Sequence, residues 1–148
     1  MRTQNWLEEQ LQGLIREHFP EMPIQNELKI RFGRSASRRF GSIQMSLDKR
    51  VSLIRINGAF RDEKIPEAII KATIAHELCH YAHGFSSPLP KLYDHPHRGN
   101  VIAREFKKRG LMALHEYEKL WTKNNWKNFI PDRPRRGLAR GLRRRWFL

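Results

Sequence analysis

The sequence has little cysteine and no long apolar run. Cys79 is the only cysteine, so the chain can form neither an intramolecular disulfide nor a zinc ribbon of four cysteines. No segment approaches the roughly 18 apolar residues of a membrane-spanning helix, and Glu8 and Glu9 interrupt the stretch where a secretory signal would lie. These absences predict a cytoplasmic (or nucleoid-associated) protein with no transmembrane segment.

Acidic residues are also scarce, which gives the chain a strong positive charge. Its 148 residues include 29 Lys and Arg against 15 Asp and Glu, for a formal net charge of +14. Hydrophobic residues make up 39% of the chain, which is enough to form one folded core. The charge indicates affinity for polyanions, nucleic acid first and anionic membrane second, and it says nothing about catalysis.

The first half of the chain combines helical spacing with strand-like alternation. Apolar residues follow a helical pattern over residues 5–19, and Pro20 ends it. Three short alternating segments, ELKIRF, GSIQMS and VSLIRI, fall within residues 24–57. We interpret them as a three-stranded antiparallel sheet with one packed and one solvated face. The pattern predicts an α+β fold.

The second half is helical. Pro66 is well placed in the first turn of a helix that Gly84 ends, and the apolar residues of this helix lie nearly all round it. That distribution is typical of a buried helix. Further helices are predicted over residues 98–108 and 111–122, after a proline-rich loop.

The run His76-Glu77-Leu78-Cys79-His80 on the buried helix predicts a metal site. Histidines at i and i+4 share a helix face, so both imidazoles can reach one zinc ion at about 2.0–2.1 Å. Glu77 lies about 80° round the helix from the centre of the pair, where it reaches water at the ion rather than the ion itself. Zn²⁺ lowers the pKa of such water to about 7, and Glu77 would act as general base. The alternative is a pair of core histidines with ordinary hydrogen-bond partners.

A catalytic zinc takes a third protein ligand, for which the sequence leaves several candidates open. His95 and His97 end the proline-rich loop, where a chain returning over the site would deliver a ligand. Glu105 would complete a His–His–Glu site, although its simpler interpretation is a solvated residue on a basic helix. His83 lies almost a turn beyond His80, so a role in lining or capping the cleft fits it better.

With these residues, the chain resembles the SprT-like (Spartan-type) zinc metallopeptidase family over residues 11–111. The likeness includes the early helix, the strands, the lead-in IPEAIIKATIAHELCH and a later histidine before a helix. The resemblance implies that the third ligand is His97, with Val101 four positions on and Gly110 closing the helix. The chain differs in having Arg98 after that histidine, where the family usually has glycine, and in lacking the C-terminal zinc ribbon.

The resemblance further implies a compact zincin-like (minigluzincin) domain that cleaves proteins bound or crosslinked to DNA, with a role in DNA repair. We expect residues 1–130 to form the peptidase domain of a monomer, and residues 131–148 to form a basic tail. The expected partners are a protein substrate and single-stranded or duplex DNA. Two alternatives stay open: a zinc-dependent hydrolase of RNA or small amides, and a non-catalytic nucleic-acid-binding module with a structural zinc.

Two basic clusters, one around residues 29–50 and one in the tail, are the predicted nucleic-acid interface. Arginines beside Phe40 and Trp146 would bind phosphates and stack on unpaired bases. The alternatives are a generally solvated surface and, for the tail, an anionic membrane. The predicted contacts are Arg34, Arg38, Arg39, Arg135, Arg136, Arg143, Arg144 and Arg145.

Three further residues near the motif have predicted roles. Cys79 lies about 80° from the histidine face, where a buried structural thiol is expected. Tyr81 and Tyr93 are the nearest candidates to donate a hydrogen bond to an oxyanion, and the spacing does not choose between them.

Overall fold

The protein is described from a computed structural model, which covers residues 1–130. Within this range the chain forms four α-helices and one three-stranded sheet, which confirms the α+β class. The elements are α1 (Gln4–His18), β1 (Glu27–Phe32), β2 (Gly41–Met45), β3 (Val51–Ile56), α2 (Glu67–Ala82), α3 (Val101–Lys108) and α4 (Met112–Asn125). None of the helices in this part of the chain is long and apolar enough to cross a membrane.

Helix α1 begins at a capped N-terminus and buries one face. The hydroxyl of Thr3 accepts a hydrogen bond of 3.1 Å from the amide of Trp6, which satisfies one of the open donors of the first turn. The buried face consists of Leu7, Leu11 and Leu14, whose spacing of three or four residues places them on one side of the helix. Through this face α1 packs on β1 and α2.

The sheet is mixed, so the prediction of an antiparallel sheet is wrong. β3 is the central strand, antiparallel to β2 and parallel to β1, and Ile56 faces Gly41 on one side and Phe32 on the other. Alternation of apolar and polar residues shows which face of a strand is buried but does not depend on strand direction. Residues 46–50 join β2 to β3 locally, whereas residues 33–40 carry the chain from β1 across to the far edge.

Helix α2 is the buried centre of the fold. It contacts α1, α3 and α4 as well as β2 and β3. Ile69, Ile74 and Leu78 have no exposed surface although they point in different directions round the helix. A helix surrounded in this way needs apolar residues on all sides, as the sequence predicted. Cys79, also on α2, is a buried free thiol, in agreement with its predicted structural role.

A left-handed glycine turn ends α2. Gly84 has a φ of 81°, its amide donates to the carbonyl oxygen of Tyr81 at 3.1 Å, and the amide of Phe85 donates to that of His80 at 2.9 Å. A Cβ at position 84 would lie 2.3 Å from the carbonyl oxygen of Pro90, so only glycine fits. The returning loop therefore starts directly beside the second histidine of the motif.

Candidate metal centre

Three imidazoles converge where α2 meets the end of this loop. The Nε2 atom of His76 lies 3.1 Å from Nε2 of His97, and Nε2 of His80 lies 3.0 Å from both. Each neutral Nε2 carries either one hydrogen or one lone pair, so three mutual contacts cannot all be hydrogen bonds. Tetrahedral zinc ligands with bonds of about 2.05 Å lie about 3.4 Å apart, close to this spacing. The three histidines are close enough to bind a metal ion.

Burial keeps these imidazoles neutral. It lowers the pKa of His76 well below its ordinary value and the pKa of His80 to about 3, with a smaller contribution from the neighbouring imidazoles in each case. Burial also lowers the pKa of His97, which is partly exposed. A neutral imidazole offers a lone pair to a metal, whereas an imidazolium has none to offer. All three side chains are therefore in the ligand form at neutral pH.

Two residues with left-handed backbone conformation lie between His97 and the first residue of α3. Gly99 and Asn100 both have positive φ, 76° and 56°, and both residue types tolerate the left-handed region. They form a short 3₁₀ turn, Arg98–Asn100, before the α-helix begins at Val101. The predicted helix at residue 98 therefore begins with this turn, which leaves His97 at the end of the loop facing α2.

The other candidate ligands are not in this cluster, as far as residues 1–130 are concerned. His95 is outside it, which agrees with the choice of His97. Glu105 is only 8% exposed, and its carboxylate accepts hydrogen bonds from His83 at 2.9 Å and Arg109 at 2.6 Å. The hydrogen bond from His83 and the charge of Arg109 lower the pKa of Glu105 to about 2. Burial acts in the opposite direction but has a smaller effect than these two together. The interpretation of Glu105 as a solvated residue is wrong.

We expect Glu105→Gln to lower the free energy of unfolding by about 1.5 kcal/mol at pH 7, because the charged hydrogen bonds to His83 and Arg109 would weaken while Arg109 keeps its ion pair with Glu21. Urea unfolding would measure the loss, with exposed Glu116→Gln as a control that should change stability by less than about 0.5 kcal/mol. Since the pKa of Glu105 is lower in the folded chain than its ordinary 4.5, the contribution is complete above pH 4.5 and disappears as the pH falls towards about 2. Equal stability at pH 7 would contradict this assignment.

Glu77, which follows His76 in the sequence, is buried. It is 3% exposed, and burial raises its pKa to about 8, while the charge of Arg39 acts in the opposite direction. A divalent ion at the histidines would favour the ionised carboxylate and lower this pKa again.

Gly41, at the start of β2, allows the strand to lie directly against Glu77. A Cβ at this position would lie 2.7 Å from Cγ2 of Thr73 and 3.3 Å from Oε1 of Glu77. The first distance is shorter than real Cβ contacts, so any larger residue must push the strand away from α2. The sequence alone gives no sign of this role, because nothing in the local pattern shows what lies opposite Gly41.

If the site hydrolyses peptides, as the sequence predicts, Gly41→Ala should reduce the rate roughly tenfold to hundredfold by displacing the carboxylate of Glu77. The matched control is Gly13→Ala in α1, where the nearest atom to the new Cβ is 3.9 Å away. That substitution should leave activity unchanged and stabilise the helix by about 0.5–1 kcal/mol. Steady-state rates and melting temperatures of both variants decide the matter, and unchanged activity of Gly41→Ala would refute the steric argument.

Residues 33–40, here named the arginine loop, precede β2 and bring Arg39 near the carboxylate of Glu77. Hydrogen bonds with Asn57 fix the backbone of this loop. The side-chain amide of Asn57 donates to the carbonyl oxygens of Ala36 at 2.7 Å and Arg39 at 3.0 Å, and its Oδ1 accepts from the amide of Ala36 at 3.1 Å. Arg34 is exposed and Arg39 is partly buried. Both line a cavity of about 140 Å³ together with Arg55, which the sequence analysis had not singled out.

Phe40 does not stack on bases, and the prediction that it would is wrong. It has no exposed surface, and its ring packs edge-on against Phe60 and Trp126 with both centroids 4.9 Å away. The indole of Trp126 also donates to the carbonyl oxygen of Ser37 at 3.0 Å. Phe40 therefore anchors the arginine loop to the core. The remaining predicted contacts, including partly buried Arg38, stay predictions, and those at Arg135, Arg136, Arg143, Arg144 and Arg145 lie outside the described residues, as does Trp146.

The two tyrosines proposed for an oxyanion have other surroundings. Tyr81 has no exposed surface, and its hydroxyl donates to the side-chain oxygen of Asn26 at 2.7 Å and accepts from the amide of Gln25 at 3.2 Å. Its proposed role is therefore wrong. The ring of Tyr93 packs edge-on against His83, with centroids 4.8 Å apart, and its role stays a prediction.

A cavity of about 180 Å³ lies beside the histidine cluster, between α2, α3 and α4. His76 and His97 line it, together with Ala103, Phe106 and His115. The ring of His115 also lies against that of Phe106, with centroids 5.2 Å apart. His115 was missed by sequence reasoning, since a single histidine on a largely polar helix gives no signal of its own.

The site therefore combines three neutral imidazoles, a buried carboxylate adjacent in sequence to one of them, and a cavity that reaches two of the rings. This set of donors fits Zn²⁺, which in catalytic sites takes three protein ligands and keeps a further position for water or substrate. In comparisons with known proteins, no family model, no curated protein and no solved structure matches this chain.

Proposed function

We propose that this protein is a zinc-dependent metallopeptidase of the SprT-like kind, with a zincin-like domain over residues 1–130. The observation that carries the proposal is the triangle of Nε2 atoms of His76, His80 and His97, with sides of 3.0–3.1 Å. Glu77 follows the first ligand directly and is buried at the same site. This combination of three neutral nitrogen ligands and one carboxylate is what hydrolysis of an amide by activated water needs.

Bound zinc would polarise the carbonyl of the scissile peptide and lower the pKa of a water molecule to about 7. Glu77 accepts the proton of the attacking water and passes it to the leaving nitrogen. A bound divalent ion would keep this buried carboxylate ionised, which is the form that accepts a proton from water. The close approach of β2 at Gly41 leaves this carboxylate little room to turn away.

The test is the hydrolysis of casein and of a DNA-bound protein by the purified chain, with and without a chelator, together with its metal content. We expect about one zinc ion per chain and proteolysis that the chelator abolishes. Chelator-sensitive cleavage of RNA without proteolysis would replace the proposal by a nuclease-type hydrolase. Bound zinc with no hydrolysis of any substrate would indicate a structural zinc in a nucleic-acid-binding module.

We propose DNA as the partner that presents the protein substrate. Arg34, Arg39 and Arg55 surround one cavity, and Arg39 is near enough to Glu77 to influence its pKa. Arginine guanidinium groups arranged in this way suit phosphate oxygens. A nucleic-acid backbone on the arginine loop would thus run close to the peptidase site.

The double variant Arg34→Ala with Arg39→Ala should weaken binding of single-stranded DNA. It should also reduce the slope of log K against log salt by about 1.4, which corresponds to two lost phosphate contacts. The matched control removes two charges elsewhere on the exposed surface, by Arg16→Ala with Lys107→Ala. Fluorescence anisotropy at several salt concentrations gives both slopes. Equal slopes for the two double variants would show that the arginine loop acts only through net charge.

A further inference from the structure

We infer that the 180 Å³ cavity between α2, α3 and α4 is a specificity pocket, which binds one apolar side chain of the peptide substrate next to the scissile bond. The inference rests on the proposed function, because it assigns a substrate class to that site. It is argued from the residues that line the cavity. The pocket would select leucine- or phenylalanine-sized residues.

The position of the cavity supports this role. His76 and His97, two of the three cluster histidines, form part of its lining. A carbonyl bound at the cluster belongs to a residue whose neighbours along the peptide have Cα atoms about 3.8 Å away. A side chain next to the scissile bond is therefore within reach of the cavity, and no second binding site on the protein is needed to place it there.

The walls and volume of the cavity specify the chemistry of its occupant. Ala72, Ile102, Ala103 and Phe106 contribute to the lining, and the surface presented to the cavity is predominantly apolar. A cavity of roughly 150 Å³ lined by apolar side chains accommodates benzene, so about 180 Å³ holds one leucine or phenylalanine side chain. Transfer of such a side chain from water to this surface is favourable.

A cationic side chain is the competing occupant, because Glu118 also lines the cavity. Glu118 is only 3% exposed, and the hydroxyl of Thr122 shares its single hydrogen between the Glu118 carbonyl oxygen at 2.7 Å and the Glu118 carboxylate at 3.1 Å. A divalent ion held by His76 and His97, which line the same wall, would repel a second positive charge in the cavity.

The first experiment measures kcat/KM of the zinc-loaded full chain on peptides that differ only at the residues flanking the scissile bond. We expect leucine and phenylalanine to exceed alanine by about tenfold or more at one of these positions. Ala103→Leu, which fills the cavity, should abolish the preference. Ala113→Leu is the matched control, since Ala113 is exposed on α4 outside this cavity. Equal rates for all peptides, a preference for lysine, or an unchanged preference in Ala103→Leu would each overturn the inference.

A second measurement separates this inference from the proposed function. In ¹⁵N-labelled protein, N-acetyl-leucinamide should shift the backbone amide signals of Ala103 and Phe106, whereas N-acetyl-lysinamide should not. Ala103→Leu should remove the shifts and Ala113→Leu should retain them. If the chain cleaves no peptide but these shifts occur, the peptidase proposal fails and the pocket stands. If it cleaves peptides but no shift occurs, the pocket is refuted and the peptidase proposal stands.

Discussion

Glu77→Gln should reduce kcat for peptide hydrolysis by about a thousandfold while the chain still binds zinc. The amide keeps the size of the carboxylate, so the neighbouring histidines and Gly41 need not move. It cannot accept a proton from the attacking water, and general-base assistance is worth about 10²–10⁴-fold. Steady-state kinetics and metal content, measured on the same preparation, show whether the two properties separate.

Glu67→Gln is the matched control for this variant. Glu67 lies on the same helix but is exposed, and its substitution should leave both activity and zinc content unchanged. Hydrolysis at the wild-type rate in Glu77→Gln would eliminate Glu77 as the base. Loss of zinc together with activity would instead show that the carboxylate supports the metal cluster.

Glu77→Gln should increase the stability of the metal-free chain, although it decreases the activity of the zinc-loaded chain. Burial raises the pKa of Glu77 from 4.5 to about 8, so the folded state binds the proton more tightly than the unfolded state does. Stability from this group is complete below pH 4.5 and decreases as the pH rises through about 8. Glu77→Gln should therefore stabilise the metal-free chain relative to wild type, by an amount that grows over this range.

His97→Ala should reduce zinc affinity far more than His95→Ala. Only His97 has its Nε2 atom at 3.0–3.1 Å from those of His76 and His80. Loss of a direct ligand should exceed the roughly 10- to 100-fold that loss of an outer hydrogen-bonding partner costs. Competition with a chelating dye measures the affinities. His76→Ala and His80→Ala should match His97→Ala, and His95→Ala should match wild type.

Thermal unfolding gives an independent measure of the same assignment. Zinc that binds only the folded state stabilises it in proportion to the logarithm of its concentration over Kd. Added zinc should therefore raise the melting temperature of wild type and His95→Ala, and much less that of His97→Ala. The reverse result, with His95→Ala losing the response, would show that the loop delivers the other histidine.

Local periodicity made half of the site predictable. His76 and His80 share a face because α2 is a regular helix, and its buried character follows from apolar residues all round it. The ends of α2 were marked by Pro66 and Gly84, whose backbone preferences are local properties. The place of the loop favoured His95 and His97 equally, and the choice of His97 came from the resemblance to the SprT-like family.

Properties that depend on distant partners were not predictable from such patterns. The parallel direction of β1 is decided by where residues 33–40 take the chain, and alternation within the strand does not encode it. Glu105 seemed a surface residue because its partner His83 is far along the sequence. Phe40 had a basic context but packs on Trp126, which comes from the other end of the described chain.

The arginine loop takes its path from Asn57 and Trp126, neither of which carries a charge. Backbone carbonyl groups, not arginine side chains, receive these hydrogen bonds, so the route of the chain and its electrostatic character are specified by separate residues. Individual arginines can therefore be exchanged over evolutionary time, or by an engineer, without redirecting the segment. The charge of this surface can thus change while the path of the loop beside Glu77 stays the same.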